Sequence, residues 1–231
     1  MKTFVRSAVA AGVVVLASSI ASADVIVGWS VPNPLPVGPP PSGATYSIGA
    51  GDQGALAAGS DFSGVHANAA TVWTSPAGNG SQYSFSSNTW GIGDYYQATF
   101  STLNYAGVSV SWDQARSSTG PVNFRVRLSI NGGSSFIDLA DYVVLQSGGG
   151  GSPGTWSSST YNPLYTQVLA LGPAADNVGS VIVRFEATSA PGGVSGSSRM
   201  DNIVFSGSVI PAPGAIALLG LAGLASRRRR G

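Results

Sequence analysis

The sequence predicts an all-β chain, an antiparallel β-sandwich or jelly roll carrying a helical leader and a short helical tail. Three observations predict it. Apolar and polar residues alternate with period two in one segment after another. Clusters of Gly, Ser, Asn and Pro punctuate those segments, and 43% of the residues are hydrophobic while only 9% are charged. Such alternation marks a strand with one buried face, because a helix would scatter the same apolar positions around its circumference. Eight or more short strands with this punctuation point to two packed sheets.

In chain order, residues 1–23 have the three parts of a secretory leader. Lys2 and Arg6 give a positive start, residues 8–17 an apolar run, and Ala21-Ser22-Ala23 a small-residue cleavage site before Asp24. A short β-like run, Val25 to Trp29, follows. Six prolines then fall within residues 32–43, a density that favours extended polyproline geometry and forbids sheet pairing. It reads as a rigid spacer. From Thr71 the alternation sets in: Tyr96, Ala98 and Phe100 offer one strand face, and Val108, Val110 and Trp112 another. The clearest strand covers 122–130, where Val122, Phe124, Val126, Leu128 and Ile130 alternate with polar residues. Asn131-Gly132 comes next, the pair favoured in a tight type I′ hairpin. The returning strand is expected over 136–146, broken near Asp141. Val181, Val183 and Phe185 mark a further strand, and 199–207 the last. Turn-rich intervals at 77–80, 117–121, 148–154 and 191–196 separate them.

The C-terminal segment, 209–231, is apolar up to Ser226 and ends in Arg227, Arg228, Arg229, Arg230 and Gly231. Pro213 cannot lie inside a helix, so the continuous helix is expected over 214–225. At about 1.5 Å per residue it spans roughly 18 Å, short of a hydrocarbon core of about 30 Å. Recruiting Val209 and Ile210 brings it near the minimum. The arginines hold that end in the cytoplasm. A weak transmembrane anchor results, suited to temporary retention.

These boundaries divide the chain into a leader (1–23), an N-terminal strand with the proline-rich segment (24–44), a β-sandwich (45–208) and the tail (209–231). With leader and tail removed, five arginines face ten acidic residues, a net charge of −5, and no lysine is left. An acidic, lysine-free body offers no footprint for phosphate backbones, which disfavours nucleic acid as a partner. The absence of cysteine excludes disulfides, thiolate metal sites and a cysteine nucleophile.

No catalytic constellation can be read. Glu186 is the single glutamate, so the usual carboxylate pair of a glycosidase is missing; it is expected to face solvent or a neighbouring arginine. Residues 150–154 match G-x-S-x-G, but no helix follows, as a nucleophile elbow requires. His66 is the single histidine and reads as a surface residue, which leaves too few ligands for zinc. No cofactor is expected beyond a structural calcium at Asp201, next to Asn202, against which an ion pair with Arg199 or a plain turn-capping role is weighed. Trp112 reads as core. Trp90 and Trp156, near turns, are the candidates for stacking on sugar rings.

Pro211-Ala212-Pro213-Gly214, the apolar helix and the arginine cluster together resemble the PEP-CTERM sorting signal of exopolysaccharide-producing bacteria, with Ala212 in place of its central glutamate. The resemblance implies export through the Sec translocon, cleavage by signal peptidase after Ala23, transient inner-membrane retention and processing by an exosortase-type peptidase. Phrases such as SPAGNGSQYSFSSNTW (75–90), WDQARSSTGP (112–121), SINGGSSF (129–136) and RMDNIV (199–204) resemble a sandwich domain of planctomycete-type PEP-CTERM proteins, with a galactose-binding-like or lectin-like jelly-roll fold. The expected function is that of an exported cell-surface or extracellular-matrix protein with a non-catalytic structural or adhesive role. The alternatives are a carbohydrate-binding module contacting exopolysaccharide, then a secreted hydrolase.

Overall fold

The computed structural model describes residues 23–35, 42–148, 150 and 152–212. The leader up to Ser22, the helix expected over 214–225 and the arginine cluster lie outside the described residues. Thirteen strands follow one another: β1 (Asp24–Trp29), β2 (Thr45–Gly49), β3 (Asp61–Val65), β4 (Trp73–Thr74), β5 (Phe85–Ser87), β6 (Tyr95–Phe100), β7 (Tyr105–Arg116), β8 (Asn123–Ser129), β9 (Ile137–Val143), β10 (Leu145–Gln146), β11 (Thr166–Ala170), β12 (Val181–Ala187) and β13 (Ser198–Val209).

They form two sheets. The six-stranded sheet runs β2-β3-β6-β12-β8-β9, and every neighbouring pair in it is antiparallel. The seven-stranded sheet is built on the long pair β7–β13, with β1, β5 and β4 on one side and β10 and β11 on the other. The sheets face each other through the apolar half of each alternation. Trp112 of β7 meets Phe185 of β12 at 4.8 Å, and Phe205 of β13 meets Phe100 of β6 at 4.2 Å between ring centroids. Phe124, Val126 and Leu128 are buried as their spacing predicts, and Trp112 lies in the same core.

Three local expectations change. The β8–β9 connection is not a two-residue turn: Leu128 pairs with Ile137, so residues 129–136 make a longer loop. A type I′ turn needs positive φ at both central residues, and that conformation falls on Gly132 and Gly133 (φ 69° and 84°) rather than on Asn131. Ile130 belongs to this loop and is 43% exposed. The return strand breaks at Val144, not Asp141, because there the chain crosses between sheets. It enters the second sheet as β10, which runs parallel to β7 and makes that sheet mixed. Finally, Val209 pairs with Tyr105 and the Ile210 N–H donates to the Asn104 carbonyl at 2.7 Å. Both residues belong to the sandwich and do not lengthen an apolar span while it is folded.

Candidate functional site

Alternation that buries Phe124, Val126, Val183, Phe185, Tyr96 and Ala98 sends their neighbours to the outer face of the six-stranded sheet. Strand register sorts these neighbours into two rows. One crosses all six strands as Ser47, Ser63, Gln97, Arg184, Arg127 and Asp138; the other as Thr45, Val65, Tyr95, Glu186, Arg125 and Asp141. With strands about 4.8 Å apart, the band is roughly 24 Å across.

Diagonal contacts bind the rows together. Arg184 donates Nε to Gln97 at 2.8 Å, and its guanidinium lies between the rings of Tyr95 and Phe136, at 4.0 and 4.1 Å from their centroids. A planar cation between two aromatic faces is held by the ring quadrupoles and by stacking. Arg127 pairs with Glu186 and Asp138, each at 2.9 Å; Arg125 reaches Asp138 at 2.7 Å and Asp141 at 2.6 Å. The hydrogen bond and charge of Arg125 hold the Asp141 carboxyl below its ordinary value. Glu186 thus meets a neighbouring arginine, as its strand position predicts. At the end of the band a cleft of about 310 Å³ opens between Asn123, Asp141, Val143 and Thr188. Fixed guanidinium, amide and carboxylate groups beside two rings offer planar donors and acceptors in a preset order, which is the chemistry that recognises hydroxyl-rich polymers.

The residues singled out from sequence lie elsewhere. Trp90 is 4% exposed, packed on His66, Tyr96 and Phe124, with its indole N–H donating to the Ser87 carbonyl. Its face is not available to a sugar. Trp156 is half-buried, sets its ring edge against Tyr165 and donates to the Ala77 carbonyl at 2.7 Å, tying two loops together. Ala23 and Asp24 are exposed at the start of β1, and Pro211 and Ala212 are exposed just after β13; Ala21, Pro213, Gly214 and Arg227 to Arg230 lie outside the described residues.

Asp201 is fully buried and stands opposite Asp113 in the β13–β7 ladder. Its Oδ2 accepts from the Asn79 N–H at 2.7 Å and the Ser81 hydroxyl at 2.5 Å, and its Oδ1 from the Asn202 N–H at 2.9 Å. Donors that point at both oxygens occupy the positions a calcium ion would need. No group of three or more acidic or imidazole side chains that could hold a metal exists among the described residues. The residues do not fit a cation, and Asp201 caps the 78–81 turn instead.

His66 is not a surface residue; it is 3% exposed. Its Nδ1 is within hydrogen-bond reach of the Thr71 hydroxyl at 3.1 Å and lies 3.4 Å from Asp94 Oδ2, and its Nε2 lies 3.2 Å from Ser87 Oγ. This order is like that of a Ser-His-Asp triad, with Thr71 sharing the Nδ1 side. Trp73 and Trp90 pack on the imidazole at 4.9 and 4.3 Å, and the Ser87 hydroxyl is also within 3.2 Å of the Tyr96 hydroxyl. Burial holds His66 below its ordinary pKa, so it is neutral near pH 7. The trio is buried, with Ser87 1% and His66 and Asp94 each 3% exposed, so it is not presented to a substrate from solvent.

No protein-family profile matches the chain, and no curated protein does. Among solved structures, it is similar to the K3 cleaved adhesin domain of Lys-gingipain from Porphyromonas gingivalis, at 15% identity over 79% of this chain and 99% of that one, with a TM-score of 0.43. The CBM22-1 xylan-binding domain of Paenibacillus barcinonensis Xyn10C is similar at 9% identity, over 84% of this chain and 99% of that one, with a TM-score of 0.39. A CBM29-2 mutant complexed with cellulohexaose is similar at 14% identity over 62% and 100%, with a TM-score of 0.32. All three superpositions are loose.

Proposed function

We propose that the chain is an exported, non-catalytic protein of the cell surface or extracellular matrix that lays the outer face of its six-stranded sheet against polysaccharide. The observation that carries this reading is the double row of largely polar side chains, with Arg184 held between Tyr95 and Phe136 and ion pairs fixing its neighbours. The body is read as a jelly roll of the galactose-binding-like kind. Export and sorting rest on the leader and on the PEP-CTERM-like tail. Their support from the fold is one of position: β1 begins at Asp24 and β13 ends at Val209, so cleavage after Ala23 and within 211–214 would leave every strand in place. In this reading the Sec translocon, signal peptidase and an exosortase-type peptidase act on the chain, and exopolysaccharide is its lasting partner.

Affinity electrophoresis through gels containing neutral and acidic polysaccharides tests the face. The purified protein is expected to be retarded by at least one polysaccharide. Tyr95→Ala and Arg184→Ala, which change partly exposed side chains, are expected to weaken that retardation about tenfold or more, equivalent to about 1.4 kcal/mol. Equal retardation of both variants and the wild type would remove this face from the account.

A further inference from the structure

Four of the five arginines in the sandwich are engaged by the protein. Arg125 and Arg127 form ion pairs. Arg184 donates to Gln97 between two rings, and Arg116 donates to the carbonyls of Val144, Ser117 and Ser118. Arg199 differs. Its β13 neighbours Ser198 and Met200 are fully buried, and Ser198 meets Gln114 on the core side, so Arg199 leaves on the outer face of the seven-stranded sheet. All ten acidic side chains of the chain lie among the described residues, and none forms an ion pair with it. Asp201, two residues on, is turned toward Asn79 and Ser81. The Nε of Arg199 is buried without a hydrogen-bond partner among the described residues. Desolvation by burial works against its charge and lowers its pKa.

A half-buried guanidinium with an unsatisfied donor is unfavourable unless an acceptor completes it, and an anion would also offset the desolvated charge. The surroundings fit that role. Arg199 lines a cleft of about 290 Å³ whose other polar lining residues are Thr74, Ser86, Ser87, Asn88, Ser195 and Ser197, and no carboxylate is in the lining. Hydroxyl and amide groups beside one guanidinium fork match an oxyanion carried on a hydroxyl-rich frame: the fork takes two oxygens in parallel, and the hydroxyls exchange hydrogen bonds with the frame. The geometry points to a binding site for the acidic group of a sugar, a uronate carboxylate or a sulfate ester, with Arg199 as the anchor. The body's net charge of −5, from five arginines and ten acidic residues, repels polyanions at long range, so capture here requires a built site and not general ion exchange. The cleft lies on the opposite sheet from Tyr95 and Arg184, and the two sites are separable.

Calorimetric titration of the purified protein with trigalacturonate, a sulfated maltotriose and neutral maltotriose tests the assignment. At least one acidic probe is expected to bind saturably and about tenfold or more tightly than the neutral one; which of the two binds identifies the oxyanion. Arg199→Gln is expected to lose that binding about tenfold or more, and Arg199→Lys to keep the charge but lose the bidentate grip and much of the affinity. Arg199→Gln should leave retardation in the neutral polysaccharide gels unchanged, so failure of the opposite face and failure of this cleft give different results. Should Arg199→Gln not fold, Ser197→Trp, which fills the cleft from a partly exposed position and leaves the arginine in place, is expected to abolish binding as well. Acidic probes that bind the wild type no better than maltotriose would overturn the site, as would a folded Arg199→Gln or Ser197→Trp protein that binds like the wild type.

Discussion

Trp90 sits where a turn-rich stretch meets β6, and its chemistry alone does not tell a sugar platform from a packing residue. What decides is contact with rings from distant segments: His66, Tyr96 and Phe124 close around it. Trp90→Ala is therefore expected to cost folding about 3–5 kcal/mol, read as a fall in Tm, with the folded fraction retaining polysaccharide as before. Asp201 carries the pH dependence. Burial raises its carboxyl from an ordinary 3.8 to about 6, so its protonated form favours the fold. That stabilisation is complete below about pH 4 and is lost as the pH rises through about 6. His66, lowered by burial, acts in the opposite sense, losing stability as the pH falls below about 6.5. Asp201→Asn removes the carboxylate titration alone. Between pH 4 and 7 the Tm of the variant should climb relative to the wild type, by the equivalent of about 2–3 kcal/mol; parallel curves would contradict the assignment. The sequence allows a capping role for Asp201, but neither its partners Asn79 and Ser81 nor the His66 trio was legible there, since these partners come from loops and strands that only the fold brings together.

At the scale of elements, legibility followed the clarity of the period. Strands β7, β8, β12 and β13 have large apolar residues at alternate positions, and they appear where the alternation places them. Strands β2 and β3 were not marked by any such pattern. On β3 the inward position next to Phe62 is Gly64, where an added Cβ would lie 2.2 Å from the Trp73 ring, so close packing of an indole against backbone replaces an apolar side chain. The same register argument that exposes the two rows could have been anticipated for Arg125 and Arg127, but not the meeting of Arg184 with Tyr95 and Phe136, which depends on strand order. The end of β13 is a further point where pattern and pairing part. Ile210→Pro removes the N–H that Asn104 accepts and is expected to cost about 1 kcal/mol or more, seen as a lower Tm. An unchanged melt would show that this end of the sandwich is not held as described.

For the whole molecule, the proposed function treats the chain as a sandwich carried between two addresses. The two sheets bury their apolar faces against each other and send charge to the outside of one sheet and an unpaired arginine to the outside of the other. Composition alone excludes thiol chemistry and disfavours nucleic acid and zinc, because absent residue types need no structure to be noticed. Which polar residues form a surface, by contrast, depends on register and could not be read along the chain. The polysaccharide reading presupposes that the protein leaves the cytoplasm, and intact-mass analysis of the protein recovered from fractionated producing cells tests that most directly. The account predicts a species outside the cytosol that begins at Asp24 and has lost Arg227 to Arg230. Recovery of the chain soluble in the cytosol, with Met1 and Gly231 both in place, would contradict it.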